Sequence, residues 1–558
     1  MAQYVIQVKS GNRWSLHSYK DSEEAALKQS RQLLKQKIAE EVKVIQKGDG
    51  PDKTVFNENI NSIKRKAGLG QLADCPVYKT LDDLFSPDSM LALSRLLRDY
   101  CDQMTFTPTE LMHNHRLLDK FCDSNLFPSA IERLANLQAI KTKSNEQECR
   151  ETLFSLFTQA REKARGSGFD PIENGTLDDY LQQAGDLGTL DIRYRVNLSL
   201  SKATTAAPSW EGKFVVLFDL LGPREADALH KTTAAFLDDI LSEFFAIPNA
   251  IMEMLGQQPD RYNAIDVLTK LCIARYQARK WDTPGLRRSS ELMAKLPMPK
   301  SRNCIANRIE QMLRSRSALT KGDMYEEKHA FKQLLPLFIA KNGSILGGEG
   351  MVEALAICGT RSFNRDRNLE NPDEPINYIL ENLQAPILQL RFLLTLSQSP
   401  FGKECTQIVC NFLPQFMEGP EHIHDIVHYK LPLKRKLKIL TGLQKSALNT
   451  KLPNKMNVKF SNWLDTLIYE YLNEERIIDK MDSPQDTLFQ RATALLQFCA
   501  SGLLIEGQTL QWVRDRVQEH LRQPNFVEKF TEDIQTTKKK ELVITQLHAM
   551  LKKAGLQE

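Results

Sequence analysis

From about residue 80 to the carboxyl end, apolar residues recur at spacings of three and four, and prolines at 375, 386, 400, 432, 453, 484 and 524 punctuate the last third. This pattern implies helices of roughly 10 to 20 residues joined by short connections, because proline ends a helix and the 3.6-residue period gathers such positions on one face. Leu93, Leu96, Leu97 and Tyr100, following Asp88, form one such stripe. Thr107-Pro108-Thr109-Glu110 combines an N-cap, a proline at the first helical position and a glutamate at the third, a strong helix start. Ser483-Pro484 opens a segment with Leu488, Ala492, Leu495 and Cys499 on one face, and Gly502 and Gly507 separate it from Leu510, Val513, Val517 and Leu521. No fixed period or repeated signature is present. The expected fold is therefore mostly α, an irregular helical-hairpin array, either α-solenoid-like or stacked bundles.

The first fifty residues read differently. Gln3 to Val8 and Trp14 to Tyr19 alternate in polarity around the turn residues Ser10-Gly11-Asn12-Arg13, as a β-hairpin does. Asp21 and Glu24 begin a helix running to about Ala39, with Leu27, Ser30, Leu34 and Ile38 on one stripe, and Val42 to Ile45 is a third strand. The expected unit is a small ββαβ module over 1–56, followed by a linker over 57–79 that carries Lys64-Arg65-Lys66. The strand Val5-Ile6-Gln7-Val8, a helix with paired alanines and leucines and a closing strand are similar to half of a SPOR-type module. The membrane anchor or export signal usual in that family is not expected here. The module is read as a small α+β unit that packs on the rest of the chain or binds a partner.

An N-terminal helical domain is expected over 80–165, and an acidic, loop-rich boundary over 166–209. There Asp170, Glu173, Asp178, Asp179, Asp186 and Asp191 precede any Lys or Arg until Arg193, Arg193 to Leu200 alternates like a strand, and Lys202 to Ser209 is rich in Thr, Ala and Ser. Trp210 to Leu221 reads as a strand or a buried helix, since periodicity alone does not decide so short an apolar run. A C-terminal helical array is expected over 210–558, with 343–350 as a candidate point of division.

A chain of 558 residues exceeds a single core, and 42% hydrophobic with 26% charged residues is the balance of a folded protein. Ten cysteines without a CxxC pair read as reduced thiols. No apolar run approaches the roughly 20 residues that span a bilayer. The expectation is a cytoplasmic multidomain protein with no transmembrane segment and no cofactor.

Motifs for chemistry are sparse. In Glu421-His422-Ile423-His424-Asp425-Ile426-Val427-His428, His424 and His428 at i and i+4 would share a helix face and could hold a metal. The HExxH order is absent, and so is a nearby second cluster. His113-Asn114-His115 is weaker, with His115 read as a core-edge histidine on the stripe of Leu111, Leu118 and Cys122. The glycine-rich run Gly343 to Gly350 lacks the GK[ST] ending of a phosphate loop and follows a helical pattern, so it reads as an interhelical connection. Gly166-Ser167-Gly168 lacks the full nucleophile elbow.

Charge segregation is more informative. Ile426 to Leu464 holds nine Lys and Arg and no Asp or Glu, while Arg275 to Lys321 holds twelve against three, in a chain whose net charge is +4. Such surfaces attract acidic protein, phosphate or anionic headgroups. The candidate binding residues are Lys430, Lys434, Arg435, Lys438 and Lys445, with Arg287, Arg288, Arg314 and Arg316. The reading is a non-catalytic intracellular scaffold or adaptor that recognises an acidic partner. A nucleic-acid-binding protein is the alternative, and a metal-dependent enzyme using residues 421–428 is the third.

Overall fold

The computed structural model describes residues 3–10, 13–35, 41–47, 53–59, 68–70, 72–166, 176–184, 190–532 and 534–556. The fold is mostly α, preceded by a small sheet. The described chain divides into two compact units, one of residues 1–220 and 246–250, the other of 221–245 and 251–558.

The first unit begins with strands β1 (Gln3–Ser10), β2 (Arg13–Lys20), β3 (Glu41–Lys47) and β4 (Lys53–Asn59), all antiparallel in the order β2-β1-β3-β4. The helix Glu23–Lys35 covers one face, where Tyr4, Ile6, Val42, Val44 and Phe56 alternate inward against Ala26 and Leu33. The buried stripe is therefore Ala26, Ser30 and Leu33 rather than Leu27 and Ser30 onward. The side chains of Leu34 and Ile38 lie outside the described residues, as do Lys64-Arg65-Lys66. β4 extends the expected ββαβ unit to ββαββ. Its sequence, KTVFNEN, has only Val55 and Phe56 to signal a strand, which suits an edge position with one partner.

Beyond the sheet the first unit is helical. Thr107 caps the helix Pro108–His113 as its sequence demands, its hydroxyl accepting from the Glu110 N-H at 3.2 Å while Glu110 Oε2 accepts from the Thr107 N-H at 2.7 Å. That helix is only six residues long, because Asn114 is extended and caps the next, His115–Cys122. The break turns His113 inward and leaves His115 exposed, reversing the core-edge expectation for His115.

Arg193 to Leu200 is not a strand but the middle of the helix Leu190–Thr205, which also takes in part of the Thr, Ala and Ser run. Tyr194, Asn197, Ser201 and Thr204 are buried at helical spacing, as are Val196 and Leu200, so small polar side chains on a helix enclosed on several sides masked its period. Leu177–Ala184 is helical too, so the described part of the acidic stretch is more regular than expected; residues 167–175 and 185–189 lie outside it. Trp210–Leu221 is a helix. Its Lys213 is buried, and Nζ donates to Glu110 Oε1 at 2.5 Å and to the Thr204 carbonyl at 2.8 Å.

In the second unit sequential helices pack as neighbours: Met324–Leu334 with Gly348–Phe363, Leu433–Leu448 with Asn454–Glu474, and Leu488–Ala500 with Gln508–Leu521. Thr487 and Gln490, not Ser483-Pro484, form the cap of Leu488–Ala500. Gly347, in the left-handed region at φ 82°, turns the chain into the helix Gly348–Phe363. Among the described residues no helix is long and apolar enough to cross a membrane.

Candidate functional site

The acid-free stretch folds as a helical hairpin. Leu437, Leu440, Leu443 and Ala447 of the helix Leu433–Leu448 are buried, as are Phe460, Leu464, Leu467 and Ile468 of Asn454–Glu474. Polar contacts fix the pairing: Gln444 Nε2 donates to the Ser461 carbonyl at 3.0 Å, and Thr450 Oγ1 donates to Asn457 Oδ1 at 3.0 Å across the turn. Thr441 Oγ1 donates to the Leu503 carbonyl at 2.6 Å, anchoring the hairpin to the following pair.

Eight of its nine cations remain outside that core. Lys430, Lys434, Arg435, Lys438 and Lys445 are exposed, and so are Lys451, Lys455 and Lys459. Among the described residues none of the eight lies in an ion pair; Lys430 instead stands 5.5 Å over the Tyr429 ring. Lys434, Lys438 and Lys445 fall within a narrow arc of their helix, at separations of four and seven. The ninth, Lys436, is buried, with Nζ 3.1 Å from the Tyr471 hydroxyl and 4.9 Å from its ring centroid. Its role is internal, and nothing in the local sequence distinguishes it from its neighbours.

Both hairpin helices start without a side-chain cap and without an acid in the first turn. Lysines near a helix N-terminus face the positive end of the macrodipole, an arrangement that repels further cations and favours an anion. Three other helices carry Asp83, Glu110 and Gln490 at the third position, whereas Pro299–Leu313, Pro386–Gln398 and Gln508–Leu521 start, like the hairpin's, with no N-cap side-chain bond and no first-turn acid.

The second basic region is largely turned to internal use. Arg288 Nη1 meets Glu291 at 2.6 Å, and its Nη2 donates to the Arg224 carbonyl. Lys295 reaches Glu225 and Asp227 at 3.3 Å, Lys300 reaches Asp239 at 3.0 Å, and Arg314 reaches Glu353 at 3.1 Å. Arg287 and Arg316 are exposed. The helices Pro284–Lys295 and Pro299–Leu313 pack on Arg261–Cys272, whereas the hairpin packs on Pro386–Gln398, Thr406–Glu418 and Gln508–Leu521. The nine candidate residues thus fall into an open set on the hairpin and a mixed set around 287–316.

The histidines do not share a helix face. The helix Ile423–Ile426 has four residues and ends before His428. His424 meets Tyr471 edge-on at 5.3 Å, and His428 stacks on Tyr429 at 4.8 Å. Among the described residues no group of three His, Cys, Asp or Glu could hold a metal. The glycine-rich run contributes Gly343, Ser344 and Gly348 to a small pocket of about 190 Å³ whose wall mixes apolar residues such as Leu388 and Phe392 with Glu349, Arg391 and Thr395.

All ten cysteines are free, and burial pushes several thiols up, Cys75, Cys122, Cys405 and Cys499 to about 11 and Cys358 to about 12. Such thiols are poor nucleophiles at neutral pH.

No known family model matches this chain. Neither the curated proteins nor the solved structures hold a match to it.

Proposed function

We propose that the chain is a non-catalytic scaffold or adaptor whose 430–459 hairpin docks on an acidic protein surface. One contrast carries the reading: among the described residues eight exposed cations on the hairpin have no carboxylate partner, while four cations of the other basic region are neutralised by acids of the same chain. Structural or solubility charges are ordinarily interspersed with acids, and this face is not. The ten free thiols suit a reducing, cytoplasmic setting.

Nucleic acid is the second reading, because Tyr429 is 63% exposed, stacked on His428 and adjacent to Lys430, as a base-stacking platform would be. The other aromatics of the stretch are less available: Phe460 is buried and Trp463 half-buried. One platform favours the protein partner over a bound strand.

Fluorescence anisotropy with labelled polyglutamate and with a single-stranded oligonucleotide, across a salt series, tests both. Lys434→Glu with Lys438→Glu should weaken polyglutamate binding by roughly tenfold or more. Unchanged binding by that variant rejects the hairpin as the docking face. Tighter oligonucleotide binding, lost on Tyr429→Ala, favours the nucleic-acid reading.

A further inference from the structure

Where the second basic region begins, its cations are not turned inward. Arg275, Arg279 and Lys280 lie in the loop between the helices Arg261–Cys272 and Pro284–Lys295, and Arg287 lies one turn into the second of these. All four are exposed, and among the described residues none of them lies in an ion pair. Beside them stands Trp281, 79% exposed, the most exposed large apolar side chain among the described residues. Folded surfaces ordinarily keep tryptophan covered, since leaving so large a ring in water forfeits its burial and invites association.

Hydrogen bonds within the loop hold the ring out. The N-H groups of Arg275 and Tyr276 donate to the Lys270 carbonyl at 2.8 and 3.1 Å, folding the chain back on the helix it leaves. Asp282 is the only acid between 275 and 287, and its Oδ2 is engaged within the loop, accepting from the Tyr276 hydroxyl at 2.8 Å and from the Arg279 N-H at 2.6 Å. Thr283 closes the far end, its hydroxyl donating to the Met254 carbonyl and accepting from the Leu286 N-H at 3.1 Å. The segment between these anchors presents Arg279, its guanidinium 5.8 Å from the Trp281 ring centroid, together with Lys280 and the ring itself.

We infer that this loop docks the protein on an anionic lipid surface, Trp281 entering the interfacial layer while Arg275, Arg279, Lys280 and Arg287 meet the headgroup phosphates. Tryptophan settles at the boundary between water and hydrocarbon because its ring is apolar and its indole N-H still finds an acceptor there. Each cation near such a surface strengthens binding about fivefold, and one apolar anchor joined to a basic cluster gives reversible attachment. A single-stranded nucleic acid fits less well, because its binding rests on successive aromatic platforms along a groove and this loop presents one ring.

Co-sedimentation of the full chain with vesicles of phosphatidylcholine containing about 30% phosphatidylserine, and with phosphatidylcholine alone, tests the surface. Binding to the anionic vesicles only is expected, weakening as salt rises. Arg279→Gln with Lys280→Gln should weaken it about 25-fold, and Trp281→Ala about tenfold or more. The substituted side chains are exposed, so these variants should melt as the wild type does. Lipid brominated in its acyl chains should quench the tryptophan fluorescence of the wild type, and equally that of the hairpin variant Lys434→Glu with Lys438→Glu, but not that of Trp281→Phe. Failure of the wild type to bind anionic vesicles, equal binding to neutral ones, or undiminished quenching in Trp281→Phe would overturn the proposal. A single-stranded oligonucleotide bound more tightly than the anionic vesicles, and released by Trp281→Ala, would overturn it in favour of nucleic acid.

Discussion

Replacing Lys213 by Met keeps the length of the side chain and removes its charge from a place where both members of an ion pair are 1% exposed. Glu110 then keeps the Thr107 N-H at 2.7 Å but loses its cation, and the Thr204 carbonyl loses a donor. Removing one partner of a buried pair costs about 3–5 kcal/mol, because the remaining charge stays desolvated and unmatched. In a unit of this size that is roughly 6–20 °C in melting temperature, at about 2–4 °C per kcal/mol. The double variant Lys213→Met, Glu110→Gln retains an oxygen for the Thr107 cap while deleting both charges, so it should recover most of the loss. Differential scanning calorimetry of wild type, both singles and the double closes the thermodynamic cycle. A single variant within about 1 kcal/mol of wild type, or a double no more stable than Lys213→Met, refutes the argument that this pair is tightly coupled.

Three further outcomes are expected. His113 is buried between Phe85 and Tyr194, and burial pushes its pKa down to about 4 from 6.5. Its stabilising contribution is complete above 6.5 and is lost as pH falls from 6.5 toward 4, a span of about 3 kcal/mol; His113→Phe should lose less stability than wild type between pH 7.5 and 4.5, and equal losses would contradict this. Gly402→Ala should destabilise by about 2 kcal/mol or more in thermal melts, since an added Cβ would stand 1.7 Å from the Leu396 carbonyl oxygen. Lys436→Gln should lower the melting temperature while Lys434→Gln leaves it within about 1 °C, a contrast reflecting the buried Tyr471 contact of Lys436 alone.

The helical body was legible because most of its helices bury one stripe and expose the rest, as Leu510, Val513 and Val517 do. Where that asymmetry vanished, so did the signal: the helix through Arg193 to Leu200 is enclosed on several sides and filled with Ser, Asn and Thr. β4 was hidden by its polar edge composition. The basic hairpin was visible as charge, but Lys436 was not separable from Lys434, because its burial depends on Tyr471, 35 residues away. Lys213 is a single cation in the apolar run Trp210 to Leu221, a signal for a buried charge that the strand-or-helix reading of that run left unused.

The bare starts of the two hairpin helices have a consequence for how docking would be felt within the chain. Asp83, Glu110 and Gln490 each accept from the N-cap N-H of their own helices, whereas the N-caps of the hairpin helices are Pro432 and Pro453, which have no N-H, and among the described residues no side chain caps either helix. A carboxylate arriving from another protein would take up the orphan N-H groups of the first turn together with its lysines. Association would then tighten the ends of these helices, and slower amide exchange at Leu433 and Lys434 would register the partner before any larger movement did.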